Sequence, residues 1–209
     1  MKVEKLGWLV AGLAVLAICA LGFRAPGDKV GVVDLNKVVA DSDFAKAQNE
    51  SFRTTAESRN SVLEFLATYR TVSPDLSKKF HDLSIKEPMA AADKLALEKV
   101  KQDAIAQDKA FRDLQTKAGP TDDDRTKLAD FGRNGQANEA LSEKWRQEFE
   151  AEAQSLREKF RIEALDRVRA AVAKVSKDQG FSTVFSQDVV PYSANDITPD
   201  AVKAMNVKK

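Results

Sequence analysis

Hydrophobic and polar positions change their spacing several times along the chain. Residues 29–34 read Lys-Val-Gly-Val-Val-Asp. The run is short, β-branched and bounded by polar residues, so it predicts a strand. A helix is expected almost at once, with Asp41 or Ser42 able to accept the unpaired first-turn N–H groups. From Asp43 to about Gln179 the period is helical. Val62, Leu66, Tyr69 and Ser73 continue one face, and Pro74 and Pro88 interrupt it. Each proline suits a first helical turn but not an interior one, so kinks or short breaks with new helix starts are predicted there. Beyond Pro88, Leu97, Val100, Ala104, Phe111, Leu114 and Ala118 step by threes and fours, with Gln107 in the gap. That is a coiled-coil seam. Gly119-Pro120-Thr121-Asp122 predicts a turn, and Phe131-Gly132-Arg133-Asn134-Gly135 is a second weak point.

The returning stretch carries Leu141, Trp145, Phe149, Leu156 and Phe160 on one stripe, with Glu152 at an otherwise apolar position. Leu165, Val168, Val172 and Val175 then follow, and Gly180 predicts the helix end. Phe181 to Ser186 alternates in β fashion, Gln187-Asp188 reads as a turn, and Val189 to Tyr192 as a second strand. Together they predict a β-hairpin, with Pro191 restricting the second strand to an edge. Thr198 and Pro199 are expected to cap and open a short final helix.

Composition narrows the function classes. The 209 residues hold 33 basic and 32 acidic side chains, for a net charge of +1. No basic excess points to nucleic acid, whose binders must neutralise phosphates. Cys19 is the only cysteine and His81 the only histidine, so neither a disulfide framework nor a Cys- or His-built metal site is available. His81 sits in a polar helical stretch and reads as a surface or packing residue. Asp122-Asp123-Asp124 lacks the spacing and glycine of a calcium loop and reads as helix-start acidity. There is no glycine-rich phosphate loop and no nucleophile elbow. No catalytic, cofactor or metal residues are assigned, and no enzyme is expected.

Lys2 and Lys5 precede an uncharged, mostly apolar run from Leu6 to Phe23. Residues 1–22 fit a signal peptide, with small residues at Ala20 and Gly22. Retention as an N-terminal anchor is the alternative. Either outcome places the rest of the chain outside the cytoplasm, beyond the reach of ATP. Residues 23–28 read as a linker. The predicted strands come from the two ends of the chain, separated by a long helical excursion. So small a sheet buries little apolar area on its own, so several chains sharing one β-body are expected.

Three ordered stretches resemble the Skp/OmpH family. They are Val30-Gly31-Val32-Val33-Asp34-Leu35-Asn36-Lys37-Val38-Val39, then Val172 to Phe181, then Val189-Val190-Pro191-Tyr192 with Asp196 to Asp200 and Val202 to Asn206. The fold class implied is α+β, a jellyfish-like homotrimer in which each chain sends a long antiparallel helical hairpin arm from a small β-rich oligomerisation body. Residues 29–42 and 179–209 would form the body, and residues 43–178 the arm, with its tip near 118–122. Val30, Val32, Phe181, Val184 and Val189 are assigned to the body's core or its contacts between chains. Phe111, Phe131, Trp145 and Phe149 are candidate client-contacting residues, with packing inside the arm as the other reading. The resemblance implies an ATP-independent periplasmic holdase for unfolded outer-membrane or envelope proteins. A membrane-anchored coiled-coil tether is the alternative. Known members carry basic arm tips, whereas this arm is nearly charge-balanced and acidic at residues 122–124.

Overall fold

A computed structural model describes residues 29–190 and 192–207. The predicted signal peptide or anchor, Cys19, the linker at 23–28 and Pro191 lie outside the described residues. The chain is mostly helical, with one two-stranded sheet. In order it forms β1 (Val30–Val33), α1 (Leu35–Ala40), α2 (Asp43–Thr68), α3 (Pro74–Ser84), α4 (Ala91–Gln115), α5 (Asp122–Gln179), β2 (Thr183–Ser186) and α6 (Thr198–Asn206). Two compact units result. One comprises the described residues up to Phe44 and from Leu165 onward, the other Ala45–Ala164. The divide falls inside α2 and α5, so the last turns of α5 belong to the unit that contains the sheet.

In that unit β1 pairs with β2 in parallel, in the register Val30 with Thr183 through Val33 with Ser186. A parallel pair needs a long crossover, and the helical excursion provides it. The β-hairpin expected over residues 181–192 does not form among the described residues. After β2 the chain turns back on itself, with the Val189 and Val190 N–H groups both donating to Ser186 O. Residues 195–197 instead run along the far edge of β1. Val32 N–H donates to Asn195 O and Ile197 N–H to Val32 O, both at 2.9 Å, and Asn195 Nδ2 donates to Val30 O. β1 is thereby hydrogen-bonded on both sides. Proline at 191 has no N–H for a ladder, which favours pairing by the later segment.

Beneath the sheet, Val33, Val38, Val168, Val175, Ile197 and Ala201 form one core. The three-four spacing of residues 165–175 is what points Val168 and Val175 into it. Asp34 caps α1, its side chain accepting from Lys37 N–H at 2.9 Å. At the start of α2, Ser42 Oγ donates to Val39 O and Asn206 Oδ1 accepts from Asp43 N–H at 2.8 Å. Thr198 was expected to cap α6. Ile197 holds that position, and the Thr198 hydroxyl accepts from Asp34 N–H at 2.9 Å. Gly180, at φ +73°, ends α5 in the left-handed conformation, and Phe181 N–H donates back to Ser176 O.

The second unit is wholly helical. α2, α3 and α4 form the outbound limb and α5 the return. Pro74 is the first residue of α3, and α4 starts just beyond Pro88. Helix α5 has 58 residues, a length of about 87 Å at ~1.5 Å per residue. Residues 131–135 lie inside it, and the chain reverses at 116–121 instead. Gly119 takes φ +68° there, open to glycine without a Cβ penalty.

Asp124 organises this turn. Its carboxylate accepts from Lys117 Nζ at 2.7 Å and from Thr121 N–H and Oγ1, both at 2.8 Å. Thr121 Oγ1 in turn accepts from Asp124 N–H, which completes a capping box. The Lys117 ammonium, then the Thr121 donors, hold the Asp124 carboxyl far below the usual carboxylate range. A depressed folded value contributes stability above the unfolded carboxylate pKa, and that contribution is lost as pH falls. Amide protection across 117–124 is expected to drop once pH falls below about 4. Asp124→Asn is expected to show the loss already at neutral pH and without the acid step, both read by hydrogen exchange.

Candidate functional site

The candidate residues fall into two sets, one in each unit. In the sheet-bearing unit Val32 is 3% exposed, and Phe181 and Val184 pack against the core. Lys29 Nζ lies 4.1 Å above the centre of the Phe181 ring. Val30 and Val189 differ from these. Val30 is 36% and Val189 71% exposed, so Val189 contributes nothing to the core of its own chain. Phe185, Tyr192 and Val207 are also exposed, and sequence reasoning did not single them out. Among the described residues β2 is hydrogen-bonded to a strand on one side only, which leaves its outer edge without a strand partner there. Alternation alone gives no sign of which face of so short a strand stays uncovered.

In the helical unit Val62, Phe65, Leu66, Val72, Leu76, Phe80, Val100, Ala104 and Trp145 form a buried node. Trp145 is only 4% exposed. Its ring stacks on His81 with centroids 4.4 Å apart, and His81 also lies parallel to Phe149. Trp145 is therefore packing, not accessible surface. Phe149 is half-buried at the rim of the node. Phe111 and Phe131 meet near the turn at 5.3 Å and are half-buried too. The structure thus brings Trp145 with Phe149, and Phe111 with Phe131, as two separate pairs.

Polar residues stitch the node together. Asn138 Nδ2 donates to Arg70 O and Val72 O at 2.9 and 2.8 Å, Asn134 Nδ2 donates to Thr71 O, and Ser73 N–H donates to Gln107 Oε1. These bonds satisfy the backbone where the chain leaves helix between α2 and α3. Sequence reasoning missed the two asparagines, although both fall on the Leu141–Trp145 stripe, where a polar residue signals a partner. Glu152, the carboxylate on the same stripe, has one as well. It is paired bidentately with Arg59 at 2.8 and 3.0 Å.

Among the described residues no cluster of His, Cys, Asp and Glu is arranged to hold a metal ion. None of their helices is long and apolar enough to cross a membrane. No curated protein and no solved structure matches the chain. The family model for outer membrane protein (OmpH-like) matches residues 29–205, a span that takes in both units. The chain belongs to the OmpH-like family, a family of periplasmic chaperones.

Proposed function

We propose that this protein is an ATP-independent periplasmic holdase that binds unfolded outer-membrane or envelope proteins and keeps them from aggregating. The observation that carries this reading is the family match across residues 29–205. In this reading residues 1–22 are the export signal and the sheet-bearing unit joins three chains. Val30, Val32, Phe181, Val184 and Val189 build or flank the joint. A strand edge without a strand partner among the described residues, beside exposed Val30, Phe185 and Val189, suits such a role, since uncovered apolar edges invite pairing with another chain. The helical units hold client through many weak apolar contacts. Phe111, Phe131 and Phe149 are half-buried and reachable, and Trp145 joins them only if its cover moves. Low-specificity contacts suit clients without fixed structure, because a shaped pocket selects one sequence.

The test is aggregation suppression. The exported chain is mixed with a urea-unfolded outer-membrane β-barrel protein, diluted without ATP and followed by light scattering. Suppression saturating at one client per three chains is the expected result. No suppression at excess protein removes this reading and leaves a structural tether in its place.

A further inference from the structure

We propose that α3 is a built-in stand-in for client. It occupies an aromatic surface of the helical unit and lifts off it to let an unfolded apolar segment bind there. This rests on the holdase reading above and names the regulation of its binding surface.

Three observations converge on α3. First, it is short, with 11 residues, and non-helical links at 69–73 and 85–90 flank it. Isolated helices of that length are marginal in water, so α3 holds its shape by docking. Second, its docked face imitates a client. Leu76, Phe80 and Leu83 are spaced by fours and threes, and Phe80 stacks on Phe65 with centroids 3.9 Å apart. His81 covers Trp145. Removing α3 uncovers Phe65, Trp145 and Phe149, the rings that Phe80 and His81 meet, beside Val100 of α4, a surface suited to a segment bearing aromatic and leucine-type side chains.

Third, the docked face is imperfect. Ser77 and Ser84 on α3 are 0% and 7% exposed, and neither hydroxyl has a protein hydrogen-bond partner. The one other such atom among the described residues, Asn138 Oδ1, lies on the residue that holds the link at 70–72. Buried polar groups without partners weaken a packed state and regain water when it opens. All three are concentrated at α3 and its hinge, so the undocking equilibrium of this one helix is set closer to balance than that of its neighbours.

The occupant is a segment of unfolded client. The test uses the full exported chain, hydrogen exchange by mass spectrometry, and a urea-unfolded outer-membrane β-barrel protein as probe. Residues 74–84 are expected to exchange at least about tenfold faster than 62–66 and 138–149. On client addition their exchange rises further while 145–149 becomes protected. The double variant Ser77→Ala/Ser84→Ala is expected to slow exchange across 74–84 by about tenfold or more. It should also weaken client capture by a similar factor while raising the unfolding temperature. Exchange at 74–84 no faster than at the flanking helices overturns the proposal. Capture unchanged in the double variant does the same, as does a change in oligomer mass instead of capture. If the parent protein captures no client at all, the holdase reading falls and α3's role falls with it. Capture that is present but insensitive to the variant sinks only the role of α3.

Discussion

With the sheet-bearing unit as the proposed joint between chains, a chain ended before Thr183 is expected to run as a single chain while keeping most of its helix. Such a truncation removes β2, residues 195–197 and α6 together. β1 loses its hydrogen-bond partners on both edges, among them Asn195 O and the Ile197 N–H that pair with Val32. The core loses Ile197 and Ala201, which are 1% and 0% exposed. Val33, Val38, Val168 and Val175 then face water. Burying one such side chain is worth about 1.5–3 kcal/mol, so exposing several rivals the ~5–15 kcal/mol that holds a whole domain. The Asp34 N–H also loses the Thr198 hydroxyl. The helical unit keeps its node, since every member from Val62 to Trp145 lies within Ala45–Ala164. Light scattering on a sizing column is expected to report a single chain, and circular dichroism a modest loss of helix. An unchanged oligomeric mass would show that the sheet-bearing unit does not join the chains.

The long helices were legible because helical periodicity is redundant over many turns. The seam from Leu97 to Leu114 is the half-buried face of α4, while its expected last member, Ala118, lies exposed in the break at 116–121 between α4 and α5. Pro74 opens α3, whereas Pro88 marks only a break, with α4 starting three residues later at Ala91. Two of the three expected strands were legible as well, as β-branched runs at 30–33 and 183–186, but the one expected at Val189 to Tyr192 is not a strand among the described residues. That the Val30 strand lies beside the Phe181 segment was legible too, but the direction of pairing was not. Alternation is the same for parallel and antiparallel pairing, so Phe181 to Tyr192 read as a hairpin although β1 pairs with segments on either side. Burial was the other gap. A stripe says which side chains share a face, not what covers it. Trp145 and Phe149 lie on one stripe, yet α3 folds over the first and leaves the second at the rim. Nothing in the local pattern of Pro74 to Ser84 announces that Phe80 meets Phe65 or that His81 meets Trp145. These are contacts between segments whose separation the periodicity does not encode.

Trp145→Ala is expected to destabilise the helical unit by about 3–5 kcal/mol, the usual range for truncating a buried aromatic side chain. Trp145 is 4% exposed and touches three things at once: the buried node, the parallel His81 ring and, through it, Phe149. A methyl group in its place leaves a cavity on one side of α3, and the neighbouring helices collapse only partly into it. His81 loses the surface it stacks on, so the loss falls first on α3. Hydrogen exchange is expected to rise most across residues 74–84 and least across 165–178, whose Val168 and Val175 pack in the other unit. The urea midpoint followed by circular dichroism reports the size of the effect, and Trp145→Phe, which keeps an aromatic face, is expected to recover much of it. A loss below about 1 kcal/mol is what surface substitutions give. It would mean that α3 spends most of its time off the ring, and the node would then be an open binding surface rather than a covered one.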